Sequence, residues 1–253
     1  MNTIIRTAIL IVLMALTTPV AAEGFYDDVQ LKARVGYSIG GTAPLGMPAT
    51  IRSIEAFHLT PNFLLGIDGS KLLYDRWGFQ AGLRVENKGM DGEVLTKAYR
   101  MKVRMDESEM EGYYTGRVRQ KVTLWMFTVP VQAIYRLSNK VTLKAGPYVS
   151  VMANKDFSGY ASEGYLRKDD PTGVKVVMGD KEGEWATYDF TDDLRNFQAG
   201  IAIGADWQTF RRIGFSLDLS WGLTGIHKSS FKTIEQTLYP IYGTIGMTYK
   251  ITK

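Results

Sequence analysis

Residues 213–224 read Ile-Gly-Phe-Ser-Leu-Asp-Leu-Ser-Trp-Gly-Leu-Thr, so every second residue is large and apolar. The residues between them are small or polar, and an extended chain would place the two sets on opposite faces. Residues 196–207 and 239–251 show the same alternation. Strands of roughly ten residues with this period suit a tilted crossing of a bilayer, large side chains toward lipid and small ones toward a crowded lumen. The pattern predicts a transmembrane antiparallel β-barrel.

The first residues predict export from the cytoplasm. A weakly basic start at 1–6 precedes an apolar run at 8–16, and the small residues 20–22 follow Pro19. This order is typical of a secretory signal peptide, and the apolar run is too short for a spanning helix. We therefore expect a signal peptide at 1–22 and a single outer-membrane β-barrel at 23–253.

Composition excludes several other classes of protein. The net charge of +4 comes from basic residues interleaved with acidic ones, which does not indicate a nucleic-acid partner. The chain has no cysteine, so it can form neither a disulfide nor a thiolate metal site. Nothing in the sequence predicts a cofactor.

Period-two patterning recurs along the mature chain and predicts eight strands in an up-and-down barrel. We expect these strands at 29–41, 62–71, 77–88, 119–137, 141–153, 196–207, 213–224 and 239–251.

The connections between these strands alternate in length. Three short turns lie at 74–76, 138–140 and 210–212, whereas long connections cover 42–61, 89–118, 154–194 and 228–237. Short periplasmic turns and longer extracellular loops are typical of outer-membrane barrels. The predicted location is thus the outer membrane of a Gram-negative bacterium, with both chain termini on the periplasmic side.

A soluble, lipocalin-like barrel is the main alternative fold, with its large apolar face lining a cavity. Two observations oppose it. Aromatic residues lie near both ends of the strands, as in interfacial girdles, and the other face carries charges in mid-strand. The girdle candidates are Trp77, Tyr135, Trp207 and Tyr249 at the turn end and Trp125, Trp221 and Tyr239 at the loop end.

Five phrases, in this order, resemble the PorT-like family of outer-membrane β-barrel proteins. They lie at 78–89 (GFQAGLRVENKG), 127–137 (FTVPVQAIYRL), 145–151 (AGPYVSV), 197–205 (FQAGIAIGA) and 221–226 (WGLTGI). The resemblance implies a small, loosely porin-like surface barrel, with some relatives serving a protein-secretion machinery. It implies no catalytic residues. The chain departs from the family at its C-terminus, which ends in Lys253 rather than an aromatic or apolar residue.

Charged residues fall on the lumen-facing side of six predicted strands. An eight-stranded barrel is just wide enough for side chains to fill, and buried charges must be paired. We therefore expect a salt-bridged plug; a gated path for protons or ions is the alternative. The predicted lumen network comprises Arg34, Asp68, Arg84, Glu86, Lys144, Asp206 and Asp218.

Beyond the expected membrane edge, the lipid-facing side of the fourth strand carries three cations: Arg117, Arg119 and Lys121. We call them the basic row. They could contact phosphate groups of lipopolysaccharide, or they could simply solubilise an exposed strand.

Catalytic and metal-binding residues are poorly supported. His58 and His227 lie near loop ends, but two histidines are too few ligands for a metal site. Ser229 and Ser230 adjoin His227. These residue types occur in the catalytic sites of rim hydrolases, but the sequence shows nothing of the geometry that such a site requires. Three functions stay open: a surface interaction or envelope-structural protein acting on a protein or glycan through its loops, a narrow porin, and a rim lipid-modifying enzyme.

Overall fold

The computed structural model describes residues 28–105, 108–181, 183–231, 233–234 and 236–252. The predicted signal peptide lies outside these residues and stays a prediction. Among the described residues, no helix is long and apolar enough to cross a membrane. The strands are β1 (Gln30–Pro44), β2 (Ile51–His58), β3 (Asn62–Leu72), β4 (Trp77–Met105), β5 (Ser108–Arg136), β6 (Val141–Lys168), β7 (Lys175–Met178), β8 (Ala186–Asp189), β9 (Phe197–Gln208), β10 (Ile213–Gly222) and β11 (Leu238–Lys250).

Eight of these strands form a closed antiparallel ring, which confirms the predicted fold. Each strand pairs with its neighbours in the order β1, β3, β4, β5, β6, β9, β10 and β11. The ring closes where β11 pairs with β1 over thirteen residue pairs, from Lys32 opposite Lys250 to Pro44 opposite Leu238. Closure leaves no open sheet edge at these positions, as a bilayer requires.

The outer surface of the ring carries the large side chains. Leu65, Ile203, Leu217 and Ile245 are all more than half exposed, and the alternate residues on each strand are buried or half-buried. Trp77 packs on Tyr135 at the turn end, with ring centroids 4.8 Å apart. A lipocalin-like barrel would show the opposite arrangement, so the alternating burial supports a lipid-facing belt.

Three of the four predicted long connections contain strands instead of irregular loops. β4 and β5 each run for 29 residues and pair until Met105 lies opposite Ser108, and β6 continues to Lys168. β2 lies within 42–61 and pairs with β4. The strand ends predicted at 88, 119 and 153 are wrong, because these strands pair with one another far beyond the ten or so residues that cross a bilayer. Only 228–237 lacks a strand among its described residues.

These paired segments form an extracellular extension, which we define as 51–58, 89–105, 108–124, 154–168, 175–178 and 186–189. At about 3.3 Å per residue, the part of the β4–β5 hairpin beyond the girdle is roughly 55 Å long, measured along its strands. The extension has its own apolar core, which includes Met101, Tyr114, Phe157, Leu166 and Tyr188. It is therefore a folded part of the protein.

Candidate functional site: the lumen charge cluster and the extracellular extension

Arg34 lies at the centre of the ionic contacts in the lumen and is only 2% exposed. Its Nε donates to Asp68 at 2.7 Å, its Nη1 to Asp218 at 3.2 Å and its Nη2 to Asp206 at 3.1 Å. These three acids belong to β3, β10 and β9, so one guanidinium joins strands from both sides of the ring. The planar fork of donors in arginine suits such multiple contacts.

Two more cations complete this arrangement. Lys144 Nζ lies 2.7 Å from Asp206 and 2.9 Å from Asp218, and Arg84 Nε lies 3.3 Å from Asp68. Within this set, three cations face three carboxylates. We call this set, Arg34, Asp68, Arg84, Lys144, Asp206 and Asp218, the lumen charge cluster.

Lys32 approaches the cluster from the turn end, with its Nζ 3.5 Å from Asp206. It precedes Arg34 by two residues and shares its side of β1, yet it is missing from the predicted network. The one sequence signal for Lys32 was its parity, which places it on the same face of the strand as Arg34.

Glycines opposite the charged residues give the cluster its space. A Cβ added to Gly66 would lie 2.7 Å from Cγ of Arg84. An added Cβ at Gly204 would collide with the Asp218 carboxylate, and one at Gly82 would collide with that of Asp68. The alternation of charged and glycine residues across neighbouring strands therefore has a steric reason.

Glu86, the seventh predicted residue, lies apart from the cluster and pairs with Lys88 at 3.6 Å. The Lys88 ammonium is buried and lies 5.2 Å from the ring centroid of Tyr148 and 5.6 Å from that of Tyr242. Tyr242 also donates a hydrogen bond to the Gly89 carbonyl at 3.2 Å. These residues form a second closed level in the lumen. Lys88 shares the strand parity of Arg84 and Glu86, which would have identified it.

The basic row lies on the extracellular extension, where acidic side chains pair with two of its members. Arg117 lies 3.1 Å from both Glu93 and Glu163, and Arg119 lies 3.0 Å from Asp91. The Arg119 hydrogen bond holds the pKa of the Asp91 carboxyl below its usual value. Lys121 is exposed. The lipopolysaccharide contact stays a prediction, and any phosphate would share Arg117 and Arg119 with these carboxylates.

An open basin of about 1040 Å³ lies on the extension beside Arg119 and Lys121. Among its described lining residues are five basic and five acidic side chains, together with Tyr160 and Phe231. Tyr160 stacks on Trp185 with ring centroids 4.8 Å apart. The basin therefore combines near-neutral mixed charge with aromatic surface.

In the described structure, His227 packs among aromatic rings. Its ring stacks on Phe231 with centroids 4.6 Å apart and meets Phe157 edge-on at 5.0 Å. Burial lowers its pKa to about 4, and its Nε2 has no hydrogen-bond partner among the described residues. Ser229 instead accepts a hydrogen bond from Arg195 at 2.8 Å. Within the described part of the chain, no group of three or more His, Asp or Glu side chains could hold a metal ion.

A family comparison decides the class of this barrel. The sequence model described as "outer membrane protein beta-barrel domain" matches residues 22–228. The chain belongs to this family. The family and the closed ring of strands confirm the location in the outer membrane of a Gram-negative bacterium. The comparison with curated protein sequences gives no match.

Three small outer-membrane barrels are among the solved structures with a similar course of the chain. Ail of Yersinia pestis, in complex with the heparin analogue sucrose octasulfate, is 10% identical with a TM-score of 0.40; the match covers 88% of this chain and 99% of Ail. Neisserial surface protein A is 9% identical with a TM-score of 0.36, covering 88% and 96%. OprG of Pseudomonas aeruginosa is 10% identical with a TM-score of 0.34, covering 89% and 97%.

Proposed function

We propose that this protein is a surface interaction protein whose barrel is an anchor and whose extracellular extension binds a protein or glycan partner. The observation that carries the proposal is the folded extension, with its own apolar core and the mixed-charge basin. Rigid elements hold binding groups in place at a lower entropic cost than mobile loops. The stacked pair Tyr160–Trp185 adds the kind of flat aromatic surface that binding sites favour.

The filled lumen supports an anchor over a narrow porin. Side chains occupy it at three successive levels: the lumen charge cluster, then Lys88 with Tyr148 and Tyr242, then the apolar core. Open porins use about sixteen or more strands, whereas eight strands enclose a lumen that side chains fill.

The finer PorT-like assignment, with its implied link to protein secretion, is also a proposal. It rests on the five phrases at 78–89, 127–137, 145–151, 197–205 and 221–226. We likewise propose that the protein has no catalytic role, because His227 is enclosed by Phe157 and Phe231.

A shortened hairpin tests the role of the extension. Thr96 lies opposite Gly116, so replacing 97–115 by a short turn would remove the outer part of the β4–β5 hairpin at a matched height. The shortened variant should keep its barrel, shown by different gel migration with and without boiling, and should lose binding of cells to immobilised glycans or matrix proteins. A charge exchange within the exposed pair of the turn after β3, Asp75→Arg with Arg76→Asp, lies outside the basin and is the control. Equal adhesion by the parent and shortened proteins would contradict the proposal.

Planar-bilayer recording tests the anchor against the porin. The purified barrel should show at most small and rare conductance steps. Steady channels that pass small solutes would make the porin the better description.

A further inference from the structure

An apolar cavity of about 410 Å³ lies beside the barrel wall at the extracellular end of β1. It is more than twice the size of a buried cavity of about 150 Å³ that binds benzene. Its apolar lining comes from the extension, from β2 and from β11. Six of these side chains are Ile51, Ile54, Phe57, Met90, Met101 and Leu238.

The cavity lies at an interruption of the sheet. β3 pairs with β1 only up to Ser38, opposite Asn62, and β2 pairs with β4 above that height. Among the described residues, no ladder joins the end of β1 to β2 or β4. The backbone N–H of Thr42 instead donates to Sδ of Met90 at 3.4 Å. A thioether is a weak acceptor, so this edge of the wall is held loosely.

Cross-strand register places this interruption at the membrane interface. Gly41 lies opposite Ile241, which lies opposite Trp221 of the loop-end girdle. Ile241 lies on the lipid-facing side of β11, whereas Leu238 belongs to the interior core. Because both residues line the cavity, it is continuous from the lipid-facing belt to the inside of the extension.

The rim of the cavity exposes apolar side chains above the girdle. Met47 is 62% exposed, Ile54 60% and Phe57 47%, and all three line the cavity. Contiguous apolar surface of this kind marks a site that another apolar group covers.

We propose that this cavity binds an acyl chain of an outer-leaflet lipid, which enters sideways from the bilayer between β1 and β2. Continuity with the lipid-facing belt favours a membrane lipid over an apolar solute from the medium. Glu93 is the only charged side chain among the described lining residues, so the site suits the tail of the lipid and leaves its headgroup at the interface. The proposal is independent of the partner-binding function and goes beyond it.

Photolabelling tests the proposal directly. The protein would be placed in nanodiscs of phosphatidylcholine that carries a diazirine near the end of one acyl chain, and labelled residues would be mapped by mass spectrometry. We expect labels on Met90, Met101 or Leu238, which are 1–6% exposed and lie behind the barrel wall. Labels confined to belt residues such as Leu65 would overturn the proposal.

A filled cavity and a matched control sharpen the test. Ala56→Trp places an indole in the cavity and should lower interior labelling about tenfold, the change that ~1.4 kcal/mol of lost binding produces. Ala133→Trp, on the exposed outer side of β5, should leave it unchanged. If Ala56→Trp does not fold, the labelling pattern of the parent protein still decides the question. Interior labelling by a soluble diazirine fatty acid, with none by the phospholipid, would also overturn the proposal.

Discussion

Neutralising Asp218 should destabilise the barrel because it leaves a buried cation without its full set of partners. The Asp218 carboxylate lies 3.2 Å from Arg34 and 2.9 Å from Lys144, and all three side chains are at most 6% exposed. At an effective dielectric constant of about 20, each contact is worth roughly 5 kcal/mol before the cost of desolvation. Asp218→Asn keeps the shape but leaves three cations facing two carboxylates. Removing one member of a buried pair costs about 3–5 kcal/mol, so we expect a loss near ~3 kcal/mol.

Restoring the balance of charge should recover part of this loss. The double variant Asp218→Asn with Lys144→Met again has equal numbers of cations and carboxylates in the lumen charge cluster. A coupling energy of about 1–3 kcal/mol is expected for residues in one network. Asp170→Asn, in an exposed turn, is the matched control and should change stability by less than about 0.5 kcal/mol.

Denaturant unfolding of the refolded barrel in lipid vesicles measures these differences, with the free energy of unfolding taken by linear extrapolation. Tryptophan fluorescence and gel migration without boiling should report the same transition. Two results together would show that the charge cluster does not stabilise the barrel: Asp218→Asn has the same free energy of unfolding as the parent, and the double variant is less stable than Asp218→Asn.

Three further predictions concern other features. Gly204→Ala should destabilise the barrel, since an added Cβ collides with the Asp218 carboxylate, whereas Gly243→Ala, with 3.8 Å of clearance, should not; the same unfolding assay compares them. The free energy of unfolding of the extension should fall by up to roughly 3 kcal/mol as the pH falls from 6.5 to 4, because unfolding lets His227, whose folded pKa is about 4, take up a proton. Protease resistance should lose this pH dependence in His227→Phe. The same pH profile in parent and variant would contradict the prediction. Glutamine at all three positions of the basic row should reduce co-purified lipopolysaccharide without lowering barrel yield, and equal lipid retention would leave these residues as ordinary surface charges.

The barrel, and the faces of its eight strands, could be predicted from the sequence alone. Runs such as 197–207 and 213–222 predict membrane strands from their own residues, because a membrane strand must present large apolar side chains to lipid at every second position. The same parity placed seven charged residues on the inner side of the ring. These properties depend only on neighbouring residues along one strand.

Tertiary structure decided which charges meet and how far the sheet extends. Contact between Arg34 and Asp206, or between Lys144 and Asp218, depends on how the strands pair around the ring, and no single strand carries this information. The continuation of β4, β5 and β6 past the girdle could not be predicted from the sequence either. Outside the bilayer the outer face meets water, so mixed charges replace the apolar repeat and the strands look like loops. Pairing between segments distant in the chain, together with the apolar core between them, forms the extension.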